Sequence, residues 1–317
     1  DVSIDSLEQR VCLGAALAQS GRTAEGVEML EQTLPPLRRQ CSGPESREPC
    51  RLLATALNNL NVSNFAARRY AAAREFGLEA LDLARKSYGE EHRETAKLTG
   101  NLGLVEFYLG HQAEALQHTQ RSIELFERIE GDDATSANYM RQTLANLFGA
   151  SGRKLEAIEV HERVIRDVDS GRQTGIGIDV FRINYAKELI QIGRYRDAEA
   201  QLELARALLE SAPERSRGSL ARLHEALAVI RSEADSNQAA AVVEAEAALA
   251  LRPVGAATPA TERILTLLIA HRVATTPFER PEAAAYWAEI ESLLRTDQTP
   301  LPSVARGVAL RRAEMAL

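Results

Sequence analysis

The sequence predicts an all-α protein, a right-handed α-solenoid of about seven antiparallel helical hairpins running as one domain over residues 1–317. Three observations predict it. A small residue recurs at positions 26, 73, 115, 157, 198, 241 and 283, so the step is 47, 42, 42, 41, 43 and 42 residues. A near-constant step of this length marks stacked supersecondary units rather than one closed core. No proline falls between Pro49 and Pro213, so nothing in that stretch forces a helix to break. Aromatic residues make up only 5%, too few for a sandwich or barrel built from Tyr, Phe and Trp.

The units read as about 7–40, 54–95, 96–137, 138–178, 179–221, 222–263 and 264–297, followed by a capping helix over 300–317. Each has the same internal grammar. Thirteen residues before the small residue stands a leucine in four units (Leu13, Leu60, Leu102, Leu144). The next position is small or an amide: Gly14, Asn61, Gly103, Ala145, Ala186. Seven residues after the small residue comes Ala80, Ser122, Ala205 or Ala248. Small side chains at these places let two helices approach closely. Larger apolar residues such as Leu116, Ile123, Leu125 and Phe126 keep the i, i+3, i+4 spacing of an amphipathic helix. Glycines five residues before the small residue (Gly21, Gly110, Gly152, Gly193) suit the turn between the two helices. Units six and seven have Ser236 and Phe278 there instead, and rest on spacing and on alanine-rich second helices. The segment Asp169–Gly177 reads as a glycine-rich loop after unit four. Pro300 and Pro302 introduce the last helix.

This grammar resembles the tetratricopeptide repeat. Asn101-Leu102-Gly103, Gly110, Ala115 and Ser122 fit its pattern best. The usual period of that family is about 34 residues, and the longer step is similar to the 42-residue variant of kinesin light chains and many bacterial signalling proteins. The connector Lys86-Ser87-Tyr88-Gly89-Glu90-Glu91-His92-Arg93-Glu94-Thr95-Ala96 looks like that subfamily's, with Arg93 where a proline is usual. Leu57-Asn58-Asn59-Leu60 is similar as well. The resemblance implies a non-catalytic module that binds a peptide or partner protein in a concave groove lined by the first helices. It implies the scaffold or sensor part of a larger bacterial signalling protein, such as a kinase or transcription regulator. The alternatives are a stand-alone peptide-sensing regulator and a homo-oligomerisation scaffold, the latter through Ile264, Leu267, Leu268, Tyr286 and Trp287 if these are exposed.

Read outward from the leucine position, the inward-facing residues are Asn58, Asn59 and Phe65 in unit two, and Lys97, Asn101, Phe107 and Tyr108 in unit three. Unit four adds Tyr139, Gln142 and Asn146, and unit five Asn184, Lys187 and Gln191. Amides both donate and accept, which suits the backbone of an extended peptide. Lysine supplies a cation and the rings supply apolar anchor area. Only four of the 38 basic residues are lysines (Lys86, Lys97, Lys154, Lys187), so two of four are in this set.

Other classes are disfavoured. A net charge of −7 argues against direct nucleic-acid binding through bulk charge. No apolar run reaches the ~18 residues of a membrane span, and no membrane insertion is expected. No zinc-protease, phosphate-loop, nucleophile-elbow or Cys-x-x-Cys spacing occurs, and the six histidines are scattered, so no catalysis, cofactor or metal is expected. Cys41 and Cys50 share one inserted loop and read either as a disulfide or as two free thiols. The first reading points to an oxidising, periplasm-like compartment and the second leaves the cytoplasm open. Cys12 reads as a small packing residue. The chain starts at Asp1 without Met and reads as a piece of a longer protein.

Overall fold

The computed structural model describes residues 2–42, 46–131, 135–170, 177–210, 217–253, 260–275, 280–296 and 302–315. Among them there are fifteen α-helices and no strand. The chain divides into two compact units, Asp1–Thr174 and Gly175–Leu317. The first holds four hairpins: α1 (Ile4–Gln19) with α2 (Thr23–Cys41), α3 (Arg47–Ala66) with α4 (Tyr70–Tyr88), α5 (Arg93–Tyr108) with α6 (Gln112–Glu130), and α7 (Thr135–Ala150) with α8 (Lys154–Asp169). The second holds three more: α9 (Ile178–Gln191) with α10 (Tyr195–Glu210), α11 (Arg217–Glu233) with α12 (Gln238–Ala250), and α13 (Ala260–Thr275) with α14 (Pro281–Thr296). Helix α15 (Pro302–Met315) follows and packs on α13. Several units read from the phrase start inside a first helix: 138 falls within α7 and 264 within α13. The leucine of the phrase sits mid-helix, so the helix begins well before it.

The small residues of the phrase are where helices touch. Asn61, Gly103, Ala145 and Ala186 are buried, as are Ala80, Ser122, Ala205 and Ala248. A Cβ added to Gly26 would stand 2.5 Å from the Gly14 carbonyl oxygen, so α1 and α2 meet through two glycines. Elsewhere a short polar side chain fastens the crossing: Asn61 Nδ2 donates to the Ala73 carbonyl at 2.7 Å, and Ser122 Oγ donates to the Ala96 carbonyl at 2.7 Å. Leucines fill the space between. Leu30, Leu37, Leu57, Leu60 and Leu102 are fully buried in one cluster of the first unit, each contributing about 1.5–3 kcal/mol. The turn inside each hairpin needs a left-handed residue. Gly21, Gly110, Gly152 and Gly193 supply it with φ of 91, 86, 77 and 77°. The equivalent residues of the second and sixth hairpins are Arg68 (φ 59°) and Ser236 (φ 51°), which adopt it without being glycine.

Three sequence expectations need correction. Leu13 is 52% exposed, whereas Leu60, Leu102 and Leu144 are buried. The later leucines are covered by the hairpin before their own, and α1 has no described hairpin before it. Cys12 is an exposed free cysteine on that same open face, not a packing residue. Ile264 and Leu267 are fully buried, with Leu268, Tyr286 and Trp287 packed against the same cluster, so they do not form the exposed face that the oligomerisation reading needed. Cys41 and Cys50 are joined by a disulfide, their Cα atoms 4.7 Å apart, tying the end of α2 to the start of α3. The expected glycine-rich loop at 171–176, the turn residue Phe278 and Pro300 lie outside the described residues.

Candidate partner-binding faces

Within the first unit, α3, α5 and α7 lie side by side, as first helices of consecutive hairpins. Nine of the expected site residues are on them. Asn101 Nδ2 donates to Asn58 Oδ1 at 3.0 Å, so these two amides bridge α3 and α5. Asn59 beside them is half-buried. Lys97, one turn before Asn101, reaches Glu94 on its own helix at 2.6 Å, and both side chains stay well exposed. Such a surface pair is weak enough for a ligand carboxylate to compete with. Tyr139 is 63% exposed on α7. Asn146, two turns further on, is exposed, and Gln142 between them is half-buried.

The aromatic members gather at the other end of the helices. The Tyr108 ring stacks on Tyr70 at 5.0 Å and meets Phe65 edge-on at 5.1 Å. Phe107 meets Tyr108 edge-on at 5.5 Å. Tyr108 itself is 41% exposed, so the cluster offers one open aromatic surface. Burial, with the neighbouring Tyr108, pushes the Tyr70 hydroxyl pKa up.

Beneath this cluster is a group that the inward-facing pattern missed. Glu106 is buried, accepting from Arg74 Nε at 2.7 Å while its other oxygen lies 2.6 Å from His111 Nδ1. Burial alone would raise its pKa. Hydrogen bonds from His111 and Arg74, with the charges of both, outweigh burial and hold it below the usual carboxylate range. The available signal was an acid directly after Val105, on the apolar face of its helix.

In the second unit, Asn184, Lys187 and Gln191 follow one another along one face of α9. Asn184 is half-buried and Gln191 exposed. Lys187 Nζ lies 3.8 Å from Glu225 on α11. Glu225 is buried, and its other oxygen is taken by Arg252 Nη1 and by Thr266 Oγ1, the latter at 2.7 Å. Among the described residues no group of three or more His, Cys, Asp or Glu could hold a metal. No described helix is long and apolar enough to cross a membrane.

Hairpins fastened through small residues, with left-handed turns at a fixed place, define an α-solenoid of helical-hairpin repeats. The tetratricopeptide-repeat family model matches residues 52–128, and the chain is a tetratricopeptide-repeat protein. Solved structures of this kind are similar along much of the rest. A putative kinesin light chain with TPR-like repeats from Podosopora anserina is 20% identical with a TM-score of 0.55, over 66% of this chain and 96% of that one. A tetratricopeptide repeat protein from Parabacteroides merdae is 16% identical with a TM-score of 0.60, over 96% and 98%. A signal transduction ATPase with a tetratricopeptide repeat sensor from Pyrococcus horikoshii is 10% identical with a TM-score of 0.64, over 92% of this chain and 43% of that one. At these identities the likeness is one of fold. No curated protein sequence matches the chain.

Proposed function

We propose that the face of α3, α5 and α7 binds an extended peptide segment of a partner protein, and that the chain works as a non-catalytic scaffold or sensor module. The observation that carries this reading is the company kept on one face. Exposed Tyr139, Tyr108 and Asn146 stand with the Asn58–Asn101 amide bridge and a lysine held only by a surface pair. Amides match a peptide backbone, rings add apolar contact, and a weakly held cation suits an acidic side chain. Asn184, Lys187 and Gln191 form a separate polar face on α9 with the same kind of groups. A role as the sensor part of a larger signalling protein is supported by the sensor described for the Pyrococcus ATPase. The readings as a stand-alone peptide-sensing regulator or as an oligomerisation scaffold have no comparable surface behind them.

The test is selection of peptides from a random displayed library on the full chain, followed by affinity measurement on a variant carrying Asn101→Ala and Asn146→Ala. The selected peptides are expected to lose at least about 1.4 kcal/mol, a tenfold weakening, while circular dichroism stays helical. Peptides that bind both proteins equally, or a selection that enriches none, would remove the proposal.

A further inference from the structure

Lys187 is enclosed and yet reachable. Crowding by protein lowers its pKa; Glu225 opposes this, and the charges of Arg222 and Arg252 add to it. At the same time 36% of its side chain meets solvent. A lysine on an open surface would keep its exposure and escape the desolvation, and a sealed one would show the reverse. The combination describes a recess, between the neighbouring first helices α9 and α11.

The cations at this recess lack a carboxylate of their own. Glu225 is engaged by Arg252 and Thr266, and its remaining oxygen is 3.8 Å from Lys187, beyond hydrogen-bonding distance. Glu262 stands 3.6 Å from Arg252 Nε, so it too serves Arg252. Arg222 donates to Ser219 on its own helix at a long 3.4 Å, and among the described residues no carboxylate is within ion-pair distance of it. Asn184 is one turn before Lys187 on the same face of α9 and is half-buried.

We propose that this recess binds the phosphoryl group of a phosphorylated side chain on a partner protein, with Lys187 and Arg222 supplying charge and Asn184 an amide donor. A phosphorylated residue carries roughly −1.5 to −2 charge at pH 7 and three acceptor oxygens. Two cations and an amide match that better than they match a carboxylate with one charge and two oxygens. Arginine adds a planar fork that suits phosphate geometry. The proposal rests on the reading that first-helix faces receive a partner, but it uses the α9–α11 face and not that of α3, α5 and α7.

The experiment is titration calorimetry of the full chain, at matched ionic strength, with three probes: N-acetyl-phosphoserine amide, N-acetyl-aspartate amide and inorganic phosphate. The phosphoserine probe is expected to bind at least about fivefold tighter than either of the others. Lys187→Met and Arg222→Gln are each expected to weaken it about fivefold or more, with melting temperatures close to that of the parent. Lys187→Arg, which keeps the charge, is expected to bind better than Lys187→Met. The Asn101→Ala, Asn146→Ala variant is expected to bind the probe normally, which separates this site from the peptide face. Absence of binding, equal binding of the aspartate probe, inorganic phosphate binding as tightly as phosphoserine, or indifference to both substitutions would each overturn the proposal.

Discussion

Glu106 and Glu225 are the two acidic residues buried among the described residues, and they are buried in different company. Glu106 belongs to the regular stretch α3–α6, where the family model matches. Its partners Arg74 and His111 keep 41% and 48% of their side chains in solvent. Glu225 belongs to α11–α13, where the repeat phrase fades. Its partner Arg252 has only 7% of its side chain exposed, and Thr266 is buried. The regular stretch closes its crossings with small and neutral groups and leaves its charges wet. The irregular stretch places both charges of an ion pair in the interior. The difference teaches how a missing shape match can be filled: Arg252 arrives from beyond the end of α12 and bonds Glu225 of α11 and Thr266 of α13, a joint that small residues provide elsewhere.

The comparison predicts unequal costs, and the largest effect falls on Glu225. Glu225→Ala leaves Arg252 buried without its carboxylate and is expected to cost about 3–5 kcal/mol. Glu106→Ala frees two side chains that can turn to water and is expected to cost about 1–2 kcal/mol. Because repeat proteins need not unfold in one step, the measurement is hydrogen exchange resolved by helix. Protection should collapse through α11–α13 in the first variant and fall modestly in α4–α6 in the second. Equal losses would break the contrast between dry and wet charge.

The next effect tests whether the regular unit contains a dry titratable group after all. His161 on α8 is buried, and burial pushes its pKa down to about 4. The unfolded chain, with an ordinary histidine pKa near 6.5, therefore takes up a proton first as pH falls. The stability involved is fully present above about pH 6.5 and is lost progressively towards pH 4, reaching roughly 3 kcal/mol. Exchange in α7 and α8 should accelerate between pH 7 and pH 4.5 after correction for intrinsic rates. His161→Leu should flatten that dependence. An unchanged slope in the variant would assign the pH effect to other groups.

These residues also show what was legible in the sequence. The hairpins could be read because their contacts demand small side chains at fixed places: Gly103, Ala115 and Ser122 are small for the same reason that they are buried. The joint around Glu225 could not, because it links residues 225, 252 and 266, whose spacing follows no helical period. For the binding faces, periodicity found which residues of α5 point outward but not what they touch. It selected Asn58 and Asn101 separately and gave no sign that they bond to each other. It passed over Tyr70, which stacks on Tyr108 from the start of another helix. Leu13 was misread because its place in the phrase is right while the covering hairpin is missing.

The smallest effect compares the same turn in the two units. Arg68 and Ser236 both hold a left-handed backbone where other hairpins have glycine. A side chain there costs roughly 1–2 kcal/mol, while glycine gives back part of that by loosening the unfolded chain. Ser236 is exposed, so Ser236→Gly is expected to stabilise the second unit by about 0.5–1 kcal/mol. Arg68 is half-buried, and its charge acts on Tyr70. Arg68→Gly gives up that interaction along with the strain, so its gain should be smaller and its effect should reach the aromatic cluster at Tyr108. Denaturation midpoints of the two variants, with Gly110→Ala as a control of opposite sign, measure this directly. A larger gain at Arg68 than at Ser236 would mean that the arginine contributes nothing to the ring cluster beside it. The open surface of Tyr108 would then depend only on ring packing.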